Sequence, residues 1–408
     1  MEQIYDRVAG LDVHRDSVAA CARVPGQHKE AVSHKERFST TTVGLGKLAE
    51  WLGDHQVHLV GMEATGVYWK PAYYALEDDF TIWLCNAHHV KNVPGRKTDM
   101  SDAEWLADVV AHGMVRPSFV PPPAIRELRS LTRYRKRQVD VRAAEVQRLE
   151  KVLQDAGIKL SSVASEVLSL SGRRMVEALI SGQRDPAVLA QFAIGRMRNK
   201  IPALTQALAG RFEAHHGLAA RHILDHVDFL DDRIATLSEQ IGLRLEPMKP
   251  AVDVLIGVPG VSQINAEVIL AETGGDMAIF PSPGQLASWA GLCPGNYESA
   301  GKRRRVSTTH GNEWLRRAFI ESAHAAARTM GSYFSAQYRQ LARRRGPNKA
   351  AVAVAHSLCD VVWHLLSTGQ HFEDLGADYF ERRRDPERET QRLVRRLQRL
   401  GHVVTLSA

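Results

Sequence analysis

Residues 5–24 read YDRVAGLDVHRDSVAACARV, and their texture decides the fold. The first part, 5–13, is a β-like apolar run that carries an acid, Asp12, near its end. Residues 16–24 form a second β-like run, and 34–41 (HKERFSTT) a third, more polar one. A helical pattern follows at 42–54 (TVGLGKLAEWLGD), opened by a threonine as N-cap, with Leu45, Leu48 and Leu52 on one face. Next come an apolar strand at 57–63 (VHLVGME), an aromatic helical stretch at 67–77 (VYWKPAYYALE), a strand at 80–86 (FTIWLCN) and a helix at 101–113 (SDAEWLADVVAHG).

Three antiparallel strands followed by alternating helix and parallel strand is the RNase H-like (RuvC-like) order. The expected fold class is therefore α/β plus α. A mixed sheet occupies the N-terminal part, a helical coiled-coil spacer the middle, and a mainly helical domain the C-terminal part. The first boundary is set by Pro121, Pro122 and Pro123, a stiff break. Residues 124–155 read as one Arg-rich helix, and 174–245 as several more. A third unit starts at VLIGVPGVSQINAEVILAE (254–272), and 381–401 is a basic terminal helix. The expected domains are 1–120 (catalytic), 121–248 (spacer), 249–370 (C-terminal domain) and 371–408 (basic tail).

The 408 residues hold 53 Lys and Arg against 46 Asp and Glu, a net charge of +7, which favours a polyanionic partner over an acidic small molecule. Cys21, Cys85, Cys293 and Cys359 show no CxxC spacing, so neither a disulfide framework nor a zinc knuckle is expected. The N-terminus lacks a basic segment followed by an apolar run, and no 18 consecutive residues are apolar, so the reading is cytoplasmic, nucleoid-associated and without a membrane partner.

The acids carry the chemistry. Asp12 sits on the first strand, Glu63 ends the fourth, and Asp99 and Asp102 stand three apart at the opening of the last helix of this region. In the inferred fold the four converge, because neighbouring strands lie about 5 Å apart. Crowded carboxylates repel unless divalent cations sit between them, and oxygen ligands suit Mg²⁺ or Mn²⁺. Such ions stabilise the attacking and leaving oxygens of a phosphodiester. Singly, each acid has a plain structural reading: Asp12 as a strand-end turn residue, Asp99 and Asp102 as helix caps. Asp6, Asp16, Glu104 and Asp108 are alternative members of the set.

Two further features point to nucleic acid. IGVPGVSQINAEVIL (256–270) resembles a helix-hairpin-helix unit, which offers backbone N–H groups to a phosphate, although a tight turn between core helices gives the same pattern. Lys302, Arg303, Arg304 and Arg305, then Arg316 and Arg317, and Arg343, Arg344 and Arg345 form basic clusters suited to phosphates. The histidine pairs His88–His89 and His215–His216 read as structural or solvent-facing. Tyr68, Trp69, Tyr73 and Tyr74 serve either base stacking or core packing.

Taken together, these motifs resemble the DEDD transposases of the insertion sequence 110 group, RNA-guided (bridge RNA) recombinases. The likeness spans nearly the whole chain. It rests on GLDVHRDS around Asp12, EATGVYW (63–69) and KTDMSDAEWLA (97–107) with Arg96 and Lys97 alongside. It continues through GVPGVSQINAEVILAETGG (257–275), FPSPGQLASWAGLCPG (280–295), ESAGKRRR (298–305) and THGNEWLRRAF (309–319). The resemblance implies metal-holding roles for Asp12, Glu63, Asp99 and Asp102. It also implies a serine nucleophile at Ser299, where Ala300 intervenes before the glycine that many members place directly after the serine. Ser262, Ser288 and Ser307 are the other candidate hydroxyls. Donor and target DNA, a structured noncoding RNA and a dimer or tetramer are implied as partners. The rival readings are a RuvC-like junction endonuclease that uses water, a DNA-binding protein without catalysis, and an RNase H-like kinase or ATPase, the last disfavoured because no Gly-rich phosphate loop follows the first strand.

Overall fold

The computed structural model describes residues 3–26, 31–64, 66–86, 90, 102–295, 298–299, 302–303, 307–382 and 386–406. The chain divides into two compact units, Met1–Val120 and Pro121–Ala408, with the division at the start of the proline run.

The first unit is built on a five-stranded sheet. Its strands are β1 (Val8–Val13), β2 (Ser17–Pro25), β3 (Ala31–Ser39), β4 (Leu59–Glu63) and β5 (Thr81–Cys85), in the order β3-β2-β1-β4-β5. β1–β2 and β2–β3 pair antiparallel, whereas β1–β4 and β4–β5 pair parallel. The polar third run is the edge strand, exposed along most of its length, where hydrophilic side chains discourage further pairing. The helices among its described residues are α1 (Thr42–Asp54), α2 (Trp69–Leu76) and α3 (Asp102–Ala111). Thr41, one residue ahead of the helix, is the cap of α1, its hydroxyl accepting from Gly44 N at 3.2 Å.

Alternation along the central strand separates two cores. Ala9, Leu11 and Val13 join Leu45, Leu48, Leu52 and Leu76 from α1 and α2. On the opposite face Val8 and Leu59 pack against Trp105, Leu106, Val109 and Val110 of α3. That second face works only because of two glycines. A Cβ at Gly10 would stand 2.1 Å from Ala103 O and 2.5 Å from Ala107 N, and one at Gly61 would meet Val110 Cγ2 at 2.6 Å. At the far end Ile4 N and Tyr5 N donate to Ala111 O at 2.9 and 3.0 Å, so α3 runs antiparallel to β1.

Among its described residues the second unit is helical apart from a two-stranded hairpin. α4 (Pro123–Asp155) precedes a small lobe made of α5 (Leu170–Ile180), α6 (Pro186–Ala190) and α7 (Ile201–Ala207), and α8 (Ala214–Leu245) returns along α4. The contacts Glu127–Arg244, Arg135–Ser238, Arg142–Asp231, Glu145–His226 and Asp155–His216 descend in step, which defines an antiparallel pair. The lobe has its own core, with Leu153, Leu160, Met175, Leu189, Leu204 and Phe212.

Then follow α9 (Lys249–Ile256), α10 (Gln263–Thr273), α11 (Pro283–Trp289), the hairpin β6 (Glu298–Ser299) and β7 (Lys302–Arg303), α12 (Glu313–Arg328), α13 (Tyr333–Arg345), α14 (Pro347–Thr368), α15 (Tyr379–Arg382) and α16 (Pro386–Arg399). α14 is long and apolar enough to cross a membrane by composition, and it packs against α11, α12 and α13 with Val354, Ala355, Leu358 and Val362 buried. The turn between α9 and α10 carries Gly260 at φ +90°, where a Cβ would meet Ser322 O at 2.3 Å on α12.

The glycine constraint predicts an asymmetry. Gly10→Ala drives a methyl into helix backbone and lowers the stability of the first unit by about 1–3 kcal/mol. Gly61→Ala costs less, because the end of a valine side chain is what obstructs it. Urea unfolding followed by the fluorescence of Trp51, Trp69, Trp83 and Trp105 measures both, and equal midpoints for the two variants would contradict this account.

Candidate active site and nucleic-acid interface

The close seat of α3 on β1 and β4 determines where the acids go. Val8, Gly10 and Asp12 alternate onto the α3 face of β1, and Leu59, Gly61 and Glu63 onto the same face of β4. The register pairs Gly10 with Gly61 and Leu11 with Met62, and Asp12 and Glu63 are the residues that follow this last pair on their two strands. Because α3 is antiparallel to β1, its N-terminal residue Asp102 lies at that same end of the sheet. Three carboxylates thus share one face and one edge. Asp12 and Asp102 reach solvent and Glu63 is half-buried. Asp99, the fourth acid, lies outside the described residues, as do Arg96 and Lys97.

Neighbouring groups sort the alternative acids. Glu104 accepts from Lys35 Nζ at 2.6 Å, which raises the lysine above its usual range, and Asp108 lies 3.3 Å from Arg23 Nη1 and 3.6 Å from His112 Nδ1. Both therefore clamp α3 to the sheet. Asp6 belongs to the opposite end of β1, and Asp16 is an exposed turn residue paired with Arg15. Sequence reasoning passed over His14, whose Nε2 is 3.1 Å from Asp12 Oδ2. Its position two residues beyond Asp12 was the available signal. Trp69 and Tyr73 pack on the core of α1 and α2, while Tyr68 and Tyr74 are exposed.

Ser299 belongs to the β6–β7 hairpin, where it pairs in register with Lys302. The side chains of Ser299, Lys302 and Arg303, and all of Arg304 and Arg305, lie outside the described residues. Among the other hydroxyls, Ser262 caps α10, accepting from Asn265 N at 3.2 Å, and Ser288 is within α11. Ser307 contributes its carbonyl to Gly295 N at 3.1 Å. Arg316 donates to Gly291 O and to Thr308 Oγ1, bracing the root of the hairpin. Arg317 makes a two-pronged pair with Asp140, 2.8 and 2.7 Å, and so is already neutralised inside the unit. Arg343, Arg344 and Arg345 are exposed in the last turn of α13.

Asp155, His215 and His216 form a second cluster whose ligating atoms lie within 4.8 Å of one another. Glu213 N donates to His216 Nδ1 at 3.0 Å, so the ring proton resides on Nε2, which faces Asp155 Oδ2 at 3.1 Å. A metal on Nε2 would have to displace that proton and sacrifice the cap of α8. The trio is a structural staple between α4 and α8.

A five-stranded mixed sheet followed by a mostly helical remainder is consistent with an RNase H-like start. Residues 9–158 match the DEDD transposase family of the IS110 type, and 252–339 match the transposase IS116/IS110/IS902 family. The chain is 28% identical over 316 residues to a probable family 20 transposase of Pseudomonas aeruginosa, covering 76% of this chain and 84% of the other. It is 27% identical over 324 residues to the transposase for insertion sequence element IS1111A of Coxiella burnetii, covering 76% and 78%. A 33% identity over 140 residues links it to an insertion element IS110 protein of Streptomyces coelicolor, 34% of each chain. The chain belongs to the IS110 family of transposases and is a DNA transposase.

Beside the acids, burial pushes the Cys85 thiol up to about 12, and Glu63, its register partner, adds to the shift. The folded chain keeps this proton while the unfolded chain loses it above about 9. Cys85 therefore stabilises fully below pH 9 and loses roughly 1 kcal/mol per pH unit between 9 and 12. The pH slope of the urea midpoint should flatten in Cys85→Ala over that window, and an unchanged slope would show the thiol to be accessible.

Proposed function

We propose that this transposase moves an insertion sequence by cutting and rejoining DNA through a phosphoserine intermediate, guided by a structured noncoding RNA. The observation that supports it most is the convergence of Asp12, Glu63 and Asp102 on one edge of the sheet. Oxygen donors of this kind fit a hard divalent cation, Mg²⁺ or Mn²⁺, with Asp99 as the fourth ligand. When bound, such an ion supplies Lewis acidity to a phosphodiester and stabilises the oxygen that leaves.

The protein's own groups do the remainder. Asp12 and Glu63 stand on strands that cannot shift without disturbing α3, so their donor oxygens are held before DNA arrives. Ser299 attacks phosphorus, the P–O3′ bond breaks, and the hydroxyl proton is balanced by the one the released 3′ oxygen takes up. Lys302, Arg303, Arg304 and Arg305 hold the phosphate backbone. Arg316 and Arg317 act from within the fold, since both guanidinium groups are already paired. Serine and acids belong to different units, which favours a dimer or tetramer in which subunits complete one another. Base pairing with the RNA would then select target and donor, and the protein would read backbone and shape.

The test is covalent trapping. Protein, labelled duplex spanning one end of the element and its flank, RNA transcribed from the adjoining noncoding DNA and Mg²⁺ are mixed, and protein-linked DNA is resolved under denaturing conditions. Wild type should give an adduct that Ser299→Ala abolishes and Asp12→Ala reduces. Cleavage without adduct, equal in Ser299→Ala, would replace this mechanism with hydrolysis by water. DNA affinity measured against salt separates the basic residues: Lys302→Ala should reduce the slope by about one unit, whereas Arg317→Ala should leave it unchanged.

A further inference from the structure

Glu272, in the last turn of α10, has no exposed surface. An ionised carboxylate is tolerated in such a place only when its oxygens are fully partnered. Arg133 of α4 donates from Nε to Oε1 and from Nη2 to Oε2, each at 2.7 Å. Arg129 Nε lies 3.2 Å from Oε2, and Arg129 Nη2 donates to the Glu272 carbonyl at 2.5 Å. The remaining donor is Asn312 Nδ2, 2.7 Å from Oε2.

Asn312 is the junction of three elements. Its Oδ1 caps α12, accepting from Trp314 N and Leu315 N at 3.1 Å each, and its backbone N–H donates to Trp289 O at 2.7 Å. That last bond is the first rung of the ladder that becomes the hairpin. Above it come Thr309 N to Cys293 O at 3.0 Å, Gly295 N to Ser307 O at 3.1 Å, and then the pairing of Ser299 with Lys302. Gly291 and Gly311 let the two strands of this root touch, since a Cβ on Gly311 would stand 2.4 Å from Gly291 N.

We propose that Glu272 is a positioning residue for transposition: through Asn312 it fixes the root of the hairpin that carries Ser299 to the arginines of α4. The inference rests on the reading of Ser299 as nucleophile and adds the device that aims it. Arg129 and Arg133 hold the carboxylate in one plane, the carboxylate holds the Asn312 amide, and the amide sets the strand that leads away from α12. Misplacing a reacting group by about 1 Å can cost on the order of a hundredfold in rate.

Asn312→Ser tests this without unfolding the protein, because serine keeps the helix cap and removes only the amide donor. Expected are a modestly lowered melting temperature with the fold retained, unchanged DNA affinity and single-turnover adduct formation slowed roughly tenfold or more at saturating DNA. Amide hydrogen exchange at Gly295 and Thr309 should quicken. Asn312→Asp sets a second carboxylate against Glu272 and should be slower still. The double exchange of Glu272→Gln with Asn312→Asp restores one carboxylate and one amide, and should recover part of the rate. Adduct formation by Asn312→Ser at the wild-type rate, with Ser299→Ala inactive, overturns the positioning role alone. Adduct persisting in Ser299→Ala instead removes the serine reading, while the exchange rates at Gly295 and Thr309 still report whether the link exists.

Discussion

The approach of α3 to the bare backbone of β1 and β4 is the constraint on which the first unit depends. Most helix–sheet contacts are separated by a layer of side chains, and the two glycines remove that layer where Ala103 and Val110 cross. The helix then sits close enough for its N-terminal residue to share an edge with the ends of both strands. Lys35 and Arg23 fasten the outer side of the same helix through Glu104 and Asp108. Acids that look interchangeable in sequence thus divide by direction: one set points along the sheet edge, the other clamps the helix.

Paired charge organises the second unit as well. Along α4, Arg129, Arg133, Arg135 and Arg142 face Glu272, Glu267 and Asp231. Arg135 and Glu267 are nearly enclosed, and their guanidinium and carboxylate lie 2.6 Å apart. Such pairs contribute little net stability relative to apolar packing, but removing one partner leaves a buried charge that costs about 3–5 kcal/mol. They act as register marks, selecting one alignment of α4 against α8 and α10. The number of basic residues, 53, consequently overstates how many cations DNA meets.

Strand and helix order was legible because the periodicities at 5–24, 42–54 and 57–63 are uninterrupted, and the ends of Asp12 and Glu63 follow from that order. The reach of α3 was not legible, since a glycine in a strand gives no hint of which backbone approaches it. Arg316 and Arg317 looked like a basic patch because a sequence shows the charge of a side chain and conceals its partner. The buried acids did leave a trace: Glu267 and Glu272 interrupt the apolar run NAEVILAET, and an acid flanked by apolar residues on both sides calls for a cation brought from elsewhere. Asn312 was hidden inside a motif whose conspicuous members were the arginines that follow it.

α4 is 33 residues of unbroken helix, about 50 Å of rod, braced at one end by Glu272 and finished at the other by a lobe with its own core. Its antiparallel companion prevents bending, so the two ends are held at a fixed separation. B-form DNA rises 3.4 Å per base pair, and the rod therefore matches about 15 base pairs. The pair of α4 and α8 is thereby a spacer of set length between the lobe and the end where Glu272 is held.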